Sequence, residues 1–449
     1  MDELKKYEEA LKMRVSDFMC QLTVLTGQQM LGFKSSLPFA QSHVAIDYML
    51  SSESIAALFP FSVQELMDEG GTFYGINDIT KNMLIYNRRR SALPHGLVFG
   101  KSGSGKSYYV KGEMIPIILN SDDDLIAIDP DGEYVGIAHQ FNGTVIEVAL
   151  GSQTHINPLD MDINYAAEKN EDPIGMKLNF LVDLCECIVG SYGMDSFTVN
   201  VIHKAGRKMY QEYMEHMETL KGTGITCDAQ ACPTLVTFWN ELIEMEDPYA
   251  HTLAQSIEQY CKGTYDIFAH RTNVDSKSRI VVYDISKLPS QLKELAMRVC
   301  FNDIWNRMVQ NRIGGKKNTW VYVDEFYLLA RTESSAKTLQ EYVKRSRKYG
   351  GIITLITQDI LDVMTTTEGQ GILGNCGFVV MMNQSKTGRD ILQDQYSISS
   401  SLMDYVKDQP PGRGLLYNGA TCIPFDYTLP DNTQLHKLMS TKFGENNAA

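Results

Sequence analysis

Three short stretches carry side chains whose types and spacing suit phosphate chemistry. The first is GKSGSGKS, Gly100 to Ser107, which fits G-x-x-x-x-G-K-[ST]. Its glycines let backbone N–H groups turn inward onto phosphate oxygens, where a Cβ would clash or forbid a positive φ. Lys106 is placed to reach the β- and γ-phosphates and Ser107 to ligate magnesium. Ser102, Gly103, Ser104, Gly105 and Tyr108 complete the residues expected to hold the nucleotide. The second stretch is WVYVDE. Trp320 to Val323 read as a buried strand, Asp324 as the carboxylate of a magnesium shell, and Glu325 as the general base that polarises a water. The third is LITQD, whose Gln358 is expected between the other two, within reach of the γ-phosphate or the attacking water. A carboxylate beside the γ-phosphate favours hydrolysis over a kinase or a switch.

Other charged positions admit two readings. In AIDPDGEY, Asp129, Asp131 and Glu133 cluster near a strand's carboxyl end, where ligands sit in open α/β sheets. A plain turn built on Pro130 and Gly132 accounts for the same residues. YVKRSRKYGG closes a helix with Arg345, Arg347 and Lys348. Either these charges complement the helix C-terminus, or Arg345 or Arg347 is an arginine finger that reaches a neighbouring subunit's nucleotide. Arg271, Arg389 and Arg413 are further finger candidates. Arg88 to Arg90 read as a solvated turn near the nucleotide site. The nine histidines lack metal-ligand spacing, and the nine cysteines, with no C-x-x-C, read as reduced thiols.

Positioning these residues takes an α/β core. From Leu97 onward, apolar runs alternate with helical patterns: the loop strand, DLIAIDP, GTVIEVAL, then SRIVVYDIS, TWVYVDE, GIITLITQD, GFVVMMN, GRGLLYNG and ATCIPFDYTL. Such alternation predicts a largely parallel sheet covered by helices. Between the third and fourth of these runs the period is helical throughout, which predicts an all-helical insertion. The division expected is a lead-in segment at 1–90, the first part of the nucleotide-binding domain at 91–165, the insertion at 166–270 and the second part at 271–449. The lead-in holds a helical region to about residue 30, a helix around SSESIAALFPF, and a hairpin with Gly75 to Asp78 as its turn. The tail TKFGENNAA reads as frayed.

The net charge of −14, from 41 basic and 55 acidic residues, disfavours duplex nucleic acid over a broad face, while a ring with a narrow basic channel stays open. No apolar run is long enough to span a membrane, and the charged N-terminus MDELKKYEEALKMR lacks an apolar signal region.

Taken in order, LFPFSVQEL, GTFYGIND, the phosphate loop, IAIDPDGEY, HINPLDM, VVYDISKL, WVYVDEFYLL, KRSRKYGGIITLITQD and PPGRGLLYNG resemble the conjugative type IV secretion ATPases, the VirB4/TraC/TraE/CagE class in the HerA–FtsK branch of P-loop motors. The resemblance runs from about residue 30 to about 440. It implies a RecA-like P-loop core with a helical insertion, and ATP with Mg2+ as cofactors. It implies Lys106, Ser107, Asp324, Glu325 and Gln358 as functional residues. It also implies a hexameric self-assembly at the cytoplasmic face of the bacterial membrane, with inner-membrane channel subunits, the coupling protein and the pilus subunit as partners. Members of this class usually carry a sizeable N-terminal domain. Here residues 1–90 precede the loop, as in a C-terminal part of a longer protein. Two rivals stand beside this expectation: a DNA-pumping translocase or coupling protein, and a nucleotide-gated scaffold with negligible turnover.

Overall fold

A computed structural model describes residues 2–441 except 17–21, 40, 45–50, 59–63, 166–171, 191–192, 275–277, 316, 331–332, 365 and 420. The expected frayed tail lies almost wholly outside the described residues. The chain forms two compact units, Met1–Val63 and Gln64–Ala449. The first unit holds the helices Asp2–Ser16, Gln29–Ser36 and Ser52–Leu58. The helical region expected to about residue 30 is thus divided, with Gly27 at φ +75° turning the chain before the second helix.

The second unit is built on one sheet of eleven strands: β1 (Thr72–Asn77), β2 (Met83–Tyr86), β3 (His95–Phe99), β4 (Asp124–Asp129), β5 (Thr144–Glu147), β6 (Ile280–Asp284), β7 (Thr319–Val323), β8 (Gly351–Thr357), β9 (Cys376–Met381), β10 (Arg413–Tyr417) and β11 (Cys422–Asp426). Their order is β2-β1-β11-β10-β9-β3-β8-β7-β4-β6-β5. From β9 to β5 all pairs are parallel; from β9 to β2 all are antiparallel. The parallel strands β3, β4, β6, β7, β8 and β9 are buried end to end, as unbroken apolar runs require when both faces are covered.

Alternate residues of these strands feed two cores. Leu97, Phe99, Ile126, Val321, Val323 and Leu355 face one. Val98, Leu125, Ala127, Trp320, Tyr322 and Ile356 face the other, which also takes Val110, Met114 and Ile117 of the helix Lys106–Asn120. Between β5 and β6 the described residues contain no strand. The helices Pro173–Val189, Ser196–Thr219, Leu235–Glu244 and Pro248–Cys261 stand there, capped by Asp172, Asp195, Thr234 and Asp247. Their core is continuous with the first face through the long helix Ser290–Gly314. That helix is buried on both sides, so it lacks the single apolar stripe of a surface helix. Lys177 keys the insertion to the sheet domain. Its buried Nζ donates to the carbonyls of Pro158 and Asp160, at 2.8 and 2.7 Å, and to Asn302 Oδ1 at 2.8 Å.

Two expectations about the lead-in segment need correction. The hairpin β1–β2 extends the main sheet, because β1 pairs antiparallel with β11, so the second unit begins at Gln64 and not near residue 90. Its turn lies after Asn77, with Lys81 at φ +63°. Gly75 sits inside β1 at φ +117°, where a Cβ would stand 2.9 Å from the Asp426 carbonyl oxygen. Its glycine serves a close strand approach. Arg88 is likewise no solvated turn residue, being 1 % exposed. Its Nη1 donates to Glu113 Oε1 at 2.7 Å and to Thr354 Oγ1 at 2.8 Å, and Tyr74 and Tyr322 donate to the same carboxylate. The hairpin, the helix Lys106–Asn120, β7 and β8 are pinned together through this one buried pair.

Candidate nucleotide site

The phosphate loop leaves β3 at the carboxyl end of the parallel strands and enters the helix Lys106–Asn120. Gly103 and Gly105 take φ of +78° and +94°. A Cβ on Gly105 would also stand 2.9 Å from the Gly412 nitrogen. Backbone bonds brace the loop from outside: Gly412 N–H donates to the Ser104 carbonyl and Lys101 N–H to the Asn383 carbonyl, both at 2.9 Å. Gln409 N–H in turn donates to Asn383 Oδ1 at 2.7 Å. Lys106 is buried, and its Nζ donates to the Gly100 carbonyl at 2.6 Å. An ammonium folded back on its own loop is a donor already in place for a phosphate oxygen.

β8 runs between β3 and β7, pairing Phe99 with Thr357 and Val323 with Leu355. The strand order therefore sets Gln358 between the loop and the acidic pair. Asp324 is 4 % exposed; its Oδ1 accepts the Glu325 N–H at 2.9 Å and its Oδ2 the Tyr134 hydroxyl at 3.1 Å. Burial, then the charges of Glu325 and Glu133, push its pKa up to about 8. Burial and these like charges outweigh the opposing charge of Lys106. Glu325 sits at φ +47°, ψ +41°, a left-handed conformation that is strained for a side chain with a Cβ. Gln358 Nε2 donates to Glu325 Oε1 at 2.9 Å, and Oε2 is buried without a partner. Burial raises the Glu325 pKa as well, in the direction that suits a general base.

Three more buried oxygens without partners gather here: Ser104 Oγ on the loop, Thr357 Oγ1 beside Gly100, and Gln384 Oε1. Gln384 is tied to the site because its Nε2 donates to the Gln358 carbonyl at 3.0 Å. Buried polar atoms left unpaired are costly, and their concentration around one loop marks a place built for a polar ligand. A magnesium-bound nucleotide fits this donor set: loop amides and Lys106 for the phosphates, Ser107 and Asp324 for the metal, Glu325 and Gln358 for a water.

Asp129 spends both oxygens on its own turn, accepting the N–H of Asp131 (3.4 Å), Glu133 (3.0 Å) and Tyr134 (2.7 Å). The turn reading thus accounts for it, and the turn has a purpose: it delivers Tyr134 to Asp324. Glu133 is half-buried, and its charge acts on Asp324 and on buried Lys111. The arginines are dispersed. Arg345 Nη2 donates to Met176 Sδ at 3.7 Å, and its guanidinium lies 5.3 Å from the Trp305 ring. Arg347 is exposed. Both precede β8, at the amino end of the strands, so the structure does not bring them to the loop of their own chain. Arg271 is exposed. Arg389 Nη1 donates to the Gln384 carbonyl at 3.0 Å, close to Gln358. Arg413 pairs with Asp426 at 2.6 Å, next to Gly412. Sequence reasoning missed Tyr134, Thr357, Gln384 and Gly412 as parts of the site. DPDGEY and PPGRG contained two of them without showing what they touch.

Fold and loop together define an α/β core of the P-loop NTPase kind. The family of the HerA helicase central domain matches residues 89–169, a span that holds β3, the phosphate loop with its helix, β4 and β5. No curated protein matches the chain in sequence. Among solved structures, VirB4 of Thermoanaerobacter pseudethanolicus superposes with a TM-score of 0.70 at 18 % identity, covering 82 % of this chain and 98 % of that one. The conjugative coupling protein TrwBΔN70 gives 0.47 at 12 % identity, covering 81 % and 91 %. Plasmid coupling protein TrwB in complex with ADP and Mg2+ gives 0.43 at 14 %, covering 86 % and 95 %. The fold is thus that of VirB4.

Proposed function

We propose that the chain is a magnesium-dependent ATPase that drives a type IV secretion or conjugative transfer apparatus from the cytoplasmic face of the bacterial membrane. The observation that carries the enzymatic part is the Gln358–Glu325 hydrogen bond beside the phosphate loop. It holds one carboxylate oxygen and leaves the other buried and unpaired, where a water bound for the γ-phosphate would stand. Glu325 takes the proton of that water, and Gln358 fixes the carboxylate's direction. Lys106 and the loop amides hold the phosphates. Ser107 and Asp324 would hold the magnesium, whose positive charge would favour transfer of the phosphoryl group.

The VirB4 fold supports the transport setting, and with it self-assembly into a hexamer that engages inner-membrane channel subunits and the coupling protein. Arg345 and Arg347, with Arg271, Arg389 and Arg413 behind them, remain the candidates for a finger across subunits. Among the described residues no helix is long and apolar enough to cross a membrane. One rival has an observation of its own: the match to the HerA helicase central domain favours a DNA pump. The net charge of −14 weighs against it.

Steady-state ATP hydrolysis across a protein concentration series separates them, with Glu325→Gln as control and with or without single-stranded DNA. Turnover that rises with protein concentration, fails in the control and ignores DNA supports the secretion motor. Strong, salt-sensitive DNA stimulation identifies a translocase. Nucleotide binding with no turnover at any concentration identifies a gated scaffold.

A further inference from the structure

Asp324, Glu325 and Gln358 lie on one flank of the loop, and Tyr108 starts the other. A nucleoside triphosphate is a linear chain. Its γ end belongs with Asp324, Glu325 and Gln358, on β7 and β8, to one side of β3. Its nucleoside must then leave the loop on the opposite side, toward β9, β10 and β11. That side carries an aromatic wall. Tyr108, the residue after Ser107, is half-buried, with its ring centroid 5.4 Å from that of His436 and 6.4 Å from that of Tyr427. Tyr108 Oη and His436 Nδ1 are hydrogen-bonded at 3.0 Å. His436 Nε2 lies 3.6 Å from the exposed carboxylate of Asp431.

The wall is keyed to the loop itself. Tyr427 N–H donates to the Gly412 carbonyl at 2.9 Å, and Gly412 N–H is the donor that braces Ser104. On the loop helix, a Cβ at Gly112 would stand 2.6 Å from Tyr427 Cζ, so the helix is hollowed to seat that ring. We infer that Tyr108 and His436, carried by the C-terminal segment's packing on the loop helix, form the subsite on which the nucleoside of the bound nucleotide stacks. This inference rests on the nucleotide site proposed above. Stacking uses the face that every base has, so the subsite recognises a nucleotide as such and contributes affinity with little selection among bases.

Calorimetric titration with MgADP and with magnesium pyrophosphate tests it, because pyrophosphate fills the loop but has no nucleoside. Tyr108→Ala should weaken MgADP by about tenfold or more and His436→Ala by a smaller factor. Both should leave pyrophosphate within about twofold of the parent, a margin well below the loss expected for a stacked base. Tyr108→Phe, which keeps the ring, should bind MgADP nearly as the parent does. Unchanged MgADP affinity in both alanine variants overturns the subsite, as does an equal loss of pyrophosphate, which would mean a disturbed loop. A parent protein that binds neither ligand overturns the nucleotide site itself, a separate failure.

Discussion

Two buried aspartates on neighbouring strands of the same sheet meet opposite treatment. Asp124 opens β4 at the amino end and is fully buried. Its Oδ2 accepts from Arg307 Nε and Asn311 Nδ2, both at 2.7 Å, and its Oδ1 from Lys317 Nζ at 2.6 Å. Asp324, just past β7 at the carboxyl end, has a phenol, one backbone N–H, the charge of Lys106 and two acidic neighbours, and burial with those neighbours drives its pKa up to about 8. Four of the nine buried side-chain polar atoms without partners, among the described residues, lie with Asp324 around the loop. The difference separates scaffold from site. A carboxylate whose charge is balanced inside the chain holds the fold, and the magnesium proposed above would supply what Asp324 lacks.

The sharpest way to break this contrast is to neutralise each aspartate. Asp324→Asn removes a carboxylate that the fold compensates only in part. It should cut ATP turnover by about a thousandfold, in the range of losses seen when a key electrostatic donor is removed, while thermal unfolding shows stability unchanged or raised. A protein that unfolds instead would show that Asp324 is scaffold. Asp124→Ala should do the reverse. It strands Arg307 and Lys317 without their partner and should cost about 3 kcal/mol of stability by chemical denaturation, with turnover per folded molecule close to the parent's. Gln358→Ala sharpens the picture within the site. If the amide only aims Glu325, kcat should fall about tenfold with KM nearly unchanged; a matching rise in KM would mean that Gln358 holds the nucleotide directly.

Which residues gather around the loop was largely legible in the sequence, while the chemistry assigned to them is the proposal made above. Gly100 to Ser107, Asp324, Glu325 and Gln358 announce themselves because local spacing and a preceding apolar run are enough to place them. The fold class was legible for the same reason, as was the helical insertion, since hydrophobic period is a local signal. What escaped depends on contacts between distant segments. Tyr134 matters because Asp129 folds a turn toward a strand that comes 190 residues later in the chain. Gly412 matters because β10 lies two places from β3. Arg88 misled because a run of three arginines before a proline reads as solvated. Only the sheet order brings Glu113, Tyr74 and Tyr322 around it. The hairpin misled for a similar reason: its glycine fits a turn as well as it fits a crowded strand, and the pairing with β11 decides.

The smallest expected effect tests the scaffold end alone. His95 opens β3, and its Nδ1 accepts the Ile353 N–H at 3.2 Å, so the ring is neutral in the fold. Burial first, then the charges of Arg88 and Arg347, lower its pKa to about 3 from the ordinary 6.5. Between those values the unfolded chain binds the proton and the folded chain does not. The stability His95 contributes is therefore fully present above about pH 6.5 and is lost as the pH falls toward about 3, by at most about 1.4 kcal/mol per pH unit. His95→Asn keeps an acceptor for Ile353 and removes the titration. Denaturation measured between pH 6.5 and 4 should then show an acid limb shallower by about one proton than the parent's, with turnover near neutral pH unchanged. Equal slopes in the two proteins would mean that His95 already carries its proton in the fold. In that case the base of β3 would resemble the carboxyl end of the sheet more closely than the contrast between Asp124 and Asp324 allows.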